Sequence, residues 1–105
     1  MINTLKNLFG MGPSVDYAQL VKDGAIILDV RSKGEYAGGH IKGSINISVD
    51  ALQHNLDKLK DKNKPIITCC ASGMRSASAK SILKSSGYVQ VHNGGSWHGL
   101  QSKIA

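Results

Sequence analysis

Pro65-Ile-Ile-Thr-Cys-Cys-Ala-Ser-Gly-Met-Arg75 joins an apolar run to a small polar loop, and Ser76-Ala-Ser-Ala-Lys-Ser-Ile-Leu-Lys84 follows it. The apolar run, residues 66–69, is rich in β-branched side chains and opens after a proline, which is typical of a short buried strand. Beyond the loop, Ala79, Ile82 and Leu83 share one face of a predicted helix. Gly87 is placed to end that helix in a left-handed conformation. The sequence therefore predicts a strand, a tight loop and a helix in direct succession.

Two adjacent cysteines lie where this strand meets the loop. Because side chains alternate along a strand, Cys69 and Cys70 should point to opposite faces, and Cys69 is expected to be an inert core residue. Cys70 precedes a loop whose N–H groups can curl inward at a helix N-terminus, where backbone dipoles favour an anion. We therefore expect Cys70 to be an exposed nucleophile with a lowered pKa. Arg75 should add a positive charge over its pocket.

The spacing of the cysteines argues against other uses. Adjacent cysteines cannot connect distant parts of a chain by a disulfide. They also lack the separation of about two to four residues that is common in zinc sites. We expect neither a metal nor a cofactor.

The other segments alternate between helical and extended patterns. A helix is predicted over residues 15–22 with Ser14 as its N-cap, and another over residues 50–59 with Asp50 and Gln53 as a capping box. Strands are predicted over residues 25–30, 45–47 and 88–92, a turn over 93–95, and a closing helix over 96–103. This alternation predicts an α/β domain with a central, mainly parallel sheet. Right-handed crossovers would bring the C-terminal ends of the strands, and with them Cys70, to one rim.

Three polar residues are interpreted as structural supports. Asp29 lies in a strand that is predicted to be buried on both faces, so its carboxylate needs hydrogen bonds or a cation, and Arg31 is close in sequence. His40 could act as a base, but a lone histidine next to an isoleucine is more often a hydrogen-bonded structural residue. We expect these residues to hold neighbouring loops.

Length and composition indicate one globular domain. Residues 14–105 should form it, preceded by an N-terminal arm or short helix over residues 1–13. The net charge of +6, from thirteen basic and seven acidic residues, favours small anions or an acidic partner, whereas scattered lysines and few aromatics argue against nucleic acid. No apolar run approaches the roughly 18 residues of a membrane helix, and no signal-peptide pattern is present. We therefore expect no membrane association and a cytoplasmic location.

Four motifs resemble, in order and spacing, those of the rhodanese family of sulfurtransferases. They are Leu28-Asp-Val-Arg31 with Glu35-Tyr36, Gly39-His-Ile-Lys-Gly43 with Ile45-Asn-Ile47, Cys70-Ala-Ser-Gly-Met-Arg75-Ser76, and Asn93-Gly-Gly-Ser-Trp97. The resemblance extends from about Ser14 to Leu100. Lys42 and Ser48 stand where many members carry proline, which affects the rigidity of the local turn. The resemblance implies a rhodanese-like fold, with helices on both faces of the sheet.

The same resemblance implies a single-domain sulfurtransferase that forms a persulfide on Cys70 and needs no cofactor. The donor would be a small anion such as thiosulfate, and the acceptor a thiol or a thioredoxin-like protein. The implied substrate-binding residues are Ala71, Ser72, Gly73, Met74, Arg75 and Ser76.

Two other functions remain as alternatives. One is a cysteine-dependent phosphatase or arsenate reductase, although tyrosine phosphatases of this kind place five residues between cysteine and arginine and this chain has four. The shorter loop should fit a sulfur atom more readily than a tetrahedral oxyanion. The other is a persulfide carrier or interaction domain that serves a single partner protein.

Overall fold

The structure is a computed structural model, and it describes residues 14–105. The predicted arm or helix over residues 1–13 lies outside the described residues. Four strands and four α-helices alternate along the described chain, with two 3-10 helices in the middle. In order they are α1 (Tyr17–Lys22), β1 (Ile26–Asp29), α2 (Lys33–Ala37), β2 (Ile45–Asn46), the 3-10 helices Val49–His54 and Leu56–Lys58, β3 (Ile66–Cys70), α3 (Met74–Ser85), β4 (Val91–Ser96) and α4 (Trp97–Ile104).

The four strands form one parallel sheet in the order β2-β1-β3-β4. Strand β3 is central and all five of its residues are buried, as its continuous apolar sequence predicts for a parallel sheet covered on both faces. Because the strands are parallel, their C-terminal ends lie at one rim of the sheet. The predicted α/β class is therefore confirmed.

The sheet separates two apolar clusters, one on each face. On one face, Cys70 packs with residues of α3 and the 3-10 helices, including Leu52, Ala79 and Leu83. On the other face, Cys69 packs with Leu100 of α4 and with side chains of α1. The alternation of side chains along β3 thus sends the two cysteines to opposite cores, as predicted.

The first helix begins later than predicted. Its N-cap is Asp16, whose side chain accepts a hydrogen bond from the backbone N–H of Gln19, and the helix starts at Tyr17. Ser14 is therefore not the N-cap: it lies two residues too early, and Asp16 supplies a charged acceptor next to the first turn.

Residues 50–59 do not form the predicted α-helix. They fold as two 3-10 helices, and the first begins after Ser48 rather than with an Asp50 capping box. Asn55 explains the break: its side-chain amide donates to the Ala51 carbonyl at 2.8 Å, which is the carbonyl that an α-helix would pair with the backbone N–H of residue 55. That N–H turns instead to the carbonyl of Leu52.

The last strand lies further along the chain than residues 88–92. Tyr88 is buried before the strand begins, and its hydroxyl donates to the carbonyl of Leu59. Asn93, Gly94 and Gly95, predicted as a turn, are part of β4, where the pairing with β3 shifts register between Thr68 and Cys70.

Gly94 is required there by close packing. A Cβ on it would lie 2.9 Å from both the Cγ2 of Ile67 and the carbonyl oxygen of Thr68.

The ends of the two long helices agree with the sequence. Gly87 has a φ of 97° just beyond α3, in the left-handed region that the pattern predicted. Ser96 caps α4 by accepting from the N–H of Gly99. Within residues 14–105, no helix is long and apolar enough to cross a membrane.

Candidate functional site

Cys70 is the last residue of β3, and its side chain is fully buried. The sequence predicted an exposed sulfur, so this part of the prediction is wrong. The reason is the course of the following loop: Gly73 adopts a φ of 103°, which folds the chain back over the end of β3 and places Ser76, also fully buried, beside the sulfur. The nucleophile candidate thus lies under its loop.

Backbone N–H groups nevertheless converge on this sulfur. The N–H of Gly73 donates to Sγ at 2.9 Å, and the N–H of Ser76 does so at 3.4 Å. Gly73 is the N-cap residue of α3 and has no side chain to accept the unpaired N–H groups of the first turn. The sulfur of Cys70 takes that place, so it serves as the cap of α3.

The two cysteines differ in acidity because their surroundings differ. Burial alone would raise the pKa of Cys70. Hydrogen bonds from the side chain and backbone of Ser76, and from the backbone of Gly73 and Ser72, lower the pKa by more than burial raises it. The net pKa is below that of an ordinary thiol. For Cys69, burial raises the pKa to about 12, and the nearby charge of Asp29 adds to the effect. The thiolate therefore forms more readily at Cys70 than at Cys69.

Ser76 links Cys70 to the last strand. Its Oγ lies 3.4 Å from the sulfur of Cys70 and 2.6 Å from Oδ1 of Asn93. Asn93 also donates through Nδ2 to the carbonyl of Gly73 at 3.2 Å and accepts from the N–H of Gly95 at 3.0 Å. One asparagine thus fixes both the loop over the sulfur and the hydroxyl beside it.

Arg75 does not stand alone over the site. Its two terminal nitrogens donate to the two carboxylate oxygens of Glu35, at 2.7 and 3.0 Å. The hydrogen bond from Arg75, together with bonds from the backbone and side chain of Ser32, lowers the pKa of Glu35 to about 2. Glu35 is therefore ionised at neutral pH and offsets the charge that the sequence assigned to the pocket.

The other predicted loop residues lie on the surface around the sulfur. Ala71, Ser72 and Met74 are exposed, and Met74 retains 78% of its exposure. Of these predicted residues, Gly73 and Ser76 donate their backbone N–H groups to Sγ at 2.9 and 3.4 Å, and the backbone of Ser72 also helps to lower the pKa of Cys70.

Asp29 and Arg31 form a buried ion pair beside the loops of the same rim. The side chain of Arg31 donates to both carboxylate oxygens of Asp29, with a shortest distance of 2.7 Å. It also donates to the carbonyls of Glu35 and Gly39, and its guanidinium lies 4.7 Å from the ring centroid of Trp97. One arginine therefore joins β1 to α2, to the loop that follows α2 and to the start of α4.

His40 is exposed and belongs to the loop after α2. Its Nδ1 is 2.7 Å from the carbonyl oxygen of Tyr36, and its ring stacks on that of Tyr36 with 3.7 Å between centroids. Tyr36 in turn donates to the carbonyl of Ser44 at 2.7 Å. These contacts hold the connection that leads to β2.

Glu35 and Asn93 are the site residues that sequence reasoning missed. Both stand inside the quoted motifs, but Glu35 is 40 positions from Arg75 and Asn93 is 17 positions from Ser76. The capping pattern of Ser32 with Glu35 was a local signal for a fixed carboxylate, and it gave no information about the partner across the fold. Within residues 14–105, no group of three or more His, Cys, Asp or Glu side chains could hold a metal ion.

Comparison with known proteins places this geometry among related domains. A family model for the rhodanese-like domain matches residues 14–102. The chain is 35% identical over 72 residues to uncharacterized protein YibN of Escherichia coli (strain K12), covering 67% of this chain and 50% of that protein, so it spans about half the length of that relative. It is 35% identical over 69 residues to thiosulfate sulfurtransferase PspE of the same organism, covering 65% and 66%. The human single-domain sulfurtransferase TSTD1 has a TM-score of 0.72 at 27% identity, covering 83% and 90%.

Proposed function

The chain belongs to the rhodanese-like domain family, and on that premise we propose that it transfers a sulfane sulfur from an anionic, thiosulfate-like donor to a thiol acceptor through a persulfide on Cys70. The observation that carries the proposal is the convergence of the Gly73 and Ser76 N–H groups on a single sulfur of lowered pKa. The relative PspE is named a thiosulfate sulfurtransferase, which supports the choice of donor.

The reaction consists of two displacements at sulfur. In the first, the Cys70 thiolate attacks the outer sulfur of thiosulfate, a new S–S bond forms, and the bond to the sulfonate sulfur breaks, so that sulfite leaves with the electron pair. Cys70 then carries a persulfide anion. In the second, an acceptor thiolate attacks the outer sulfur of the persulfide and departs as a new persulfide, which regenerates the Cys70 thiolate. We propose a small thiol or a thioredoxin-like protein as the acceptor.

The surroundings of Cys70 suit both steps. A thiolate is the nucleophile in thiol exchange, and the loop amides stabilise it without a separate base. The persulfide formed in the first step also carries one negative charge, and amides that already point at the sulfur can stabilise an anion there without reorganisation. The short loop of four residues between Cys70 and Arg75 leaves less room for a tetrahedral oxyanion, which disfavours the phosphatase or arsenate reductase alternative.

Burial of Cys70 favours one variation on this function, in which the domain acts as a persulfide carrier. A sulfur that lies under its loop has limited access to free small molecules, and a docked partner protein could open the loop. Counting turnovers separates the two functions: a free enzyme makes many equivalents of product, whereas a carrier retains one equivalent of sulfur until its partner is added.

The deciding experiment compares Cys70→Ser with Cys69→Ser. We expect thiocyanate formation from thiosulfate and cyanide to be lost in Cys70→Ser and largely retained in Cys69→Ser, because only Cys70 has both the amides and the lowered pKa. Intact mass spectrometry after incubation with thiosulfate should show one added sulfur in the wild type and in Cys69→Ser. Equal loss of activity in both variants, with folding intact by circular dichroism, would contradict the assignment of Cys70.

A further inference from the structure

The charge of Arg75 is engaged by a carboxylate that is itself held in place. Both side chains are partly exposed, each at 38%, and the contact is the two-pronged arrangement of an arginine with a carboxylate. Oε1 of Glu35 also accepts from the backbone N–H of Ser32 at 3.1 Å and from its hydroxyl at 3.0 Å. The capping box at the start of α2 thus fixes the carboxylate before Arg75 reaches it.

Glu35 is also anchored through its backbone. Its carbonyl accepts a hydrogen bond from the side chain of Arg31 at 3.3 Å, and Arg31 is buried in its ion pair with Asp29. The carboxylate of Glu35 is therefore held in place beside Arg75 by other hydrogen bonds. A mobile surface side chain would instead lose conformational entropy on forming the same ion pair.

Arg75 is close enough to the nucleophile for this pairing to matter. Arg75 lies in the first turn of α3, directly before Ser76, whose backbone N–H donates to Sγ of Cys70 at 3.4 Å. The hydrogen bond to Glu35 is the largest cause of the raised pKa of Arg75, and the charge of Cys70 also contributes. A cation that interacts with Cys70 in this way is placed to attract an anion that approaches the sulfur. A fixed carboxylate on the same guanidinium opposes that attraction, and the opposition is about twice as large for a dianion as for a monoanion.

We propose that Glu35 is a specificity-determining residue, a fixed carboxylate that holds Arg75 and disfavours dianionic donors relative to neutral or singly charged sulfur compounds. This inference rests on the proposed sulfur transfer for its substrates, but the charge selectivity itself can be measured without any transfer of sulfur. The preferred donors would be persulfides of small thiols or of proteins, and thiosulfate would be used below the rate that the pocket could otherwise support.

Glu35→Gln is the informative substitution. Glutamine is accepted at the third position of a capping box, so α2 keeps its cap while the negative charge disappears. Asp23→Asn is the matched control, because Asp23 is an exposed carboxylate just before β1, at the opposite rim of the sheet from Cys70. Both variants change the net charge equally.

The first measurement uses two alkylating reagents of similar size, anionic iodoacetate and neutral iodoacetamide, on proteins that carry Cys69→Ser so that Cys70 is the one thiol. We expect Glu35→Gln to raise the ratio of the iodoacetate rate to the iodoacetamide rate by about fivefold, and Asp23→Asn to leave it unchanged. In an Arg75→Ala background the gain from Glu35→Gln should shrink, because the freed cation is absent.

A ratio that is unchanged in Glu35→Gln, or that rises equally in Asp23→Asn, would overturn the role of Glu35. So would a gain that persists in full without Arg75. The second measurement is kcat/KM for thiosulfate, a dianion, which should rise about 25-fold in Glu35→Gln because the free-energy change is about twice that for iodoacetate. If the alkylation ratio changes as expected while no variant transfers sulfur, the proposed function fails and the charge selectivity of Glu35 stands.

Discussion

Replacing Ser76 by alanine removes the hydroxyl beside the sulfur of Cys70 and keeps the backbone N–H that also points at this sulfur. The hydroxyl has one hydrogen and three acceptors within reach: the sulfur of Cys70 at 3.4 Å, the carbonyl of Gly73 at 3.1 Å and Oδ1 of Asn93 at 2.6 Å. When Cys70 is a thiol, the shortest contact indicates that the hydrogen goes to Asn93. When Cys70 is a thiolate, the hydroxyl can turn to the charged acceptor.

The size of the effect follows from exchanging one hydrogen bond for the other. A bond to a charged group contributes about 1.5–3 kcal/mol, and a neutral bond about 0.5–1.5 kcal/mol. The hydroxyl therefore favours the thiolate by about 1 kcal/mol, the difference between them. At a pH below the pKa of Cys70, Ser76→Ala should lower the thiolate population, and with it the rate of alkylation by iodoacetamide, by about fivefold.

The assay follows iodoacetamide alkylation across a pH series in protein that carries Cys69→Ser. We expect the alkylation rates of the protein with Ser76 and of the Ser76→Ala variant to converge at high pH, where Cys70 is ionised in both. Ser78→Ala is the control, because Ser78 is an exposed serine on the same helix. A rate that is unchanged at low pH would refute the role of the hydroxyl, and an equal loss at all pH values would show that Ser76 controls access rather than charge.

Two further substitutions test the framework of the rim. Arg31→Ala should lower the free energy of unfolding by about 3–5 kcal/mol, because it leaves the buried carboxylate of Asp29 without its cation, and a loss below about 1 kcal/mol in urea denaturation would show that water replaces the arginine. Gly94→Ala should cost about 1–3 kcal/mol by overpacking against Ile67 and Thr68. Gly34→Ala meets no atom within 4 Å and should be neutral or stabilising, so thermal unfolding of Gly94→Ala at or above the temperature of Gly34→Ala would contradict the packing explanation.

The centre of the fold could be predicted because its signals are local. A β-branched run identifies β3, and the two-residue period of a strand places Cys69 and Cys70 in opposite cores. Gly73, which marks the loop, and the apolar residues that mark the face of α3 are likewise local signals, because they lie in or next to the elements that they predict.

The errors occurred mostly where a residue's role is decided by a distant neighbour. Gly94 resembles a turn residue in sequence, and only the side chain of Ile67 and the backbone of Thr68 show that it belongs in a strand. One error is local: the side-chain amide of Asn55 binds the carbonyl of Ala51, four residues earlier, and breaks an α-helix that the leucine spacing favours. Arg75 forms an ion pair with Glu35, 40 residues away in sequence, and no local pattern predicts this pairing.

The sulfur of Cys70 has a structural role besides its proposed chemical one, because it caps the first turn of α3. Any change in the bonding of this sulfur therefore alters the hydrogen bonds of the first turn of α3, which packs on one face of the sheet. Free-energy linkage makes this coupling reciprocal. A change that stabilises the first turn of α3 favours the charged sulfur, and a change in the charge or bonding of the sulfur shifts the stability of that turn by the same free energy. The order of the first backbone amides of α3 should therefore change with the chemical state of Cys70.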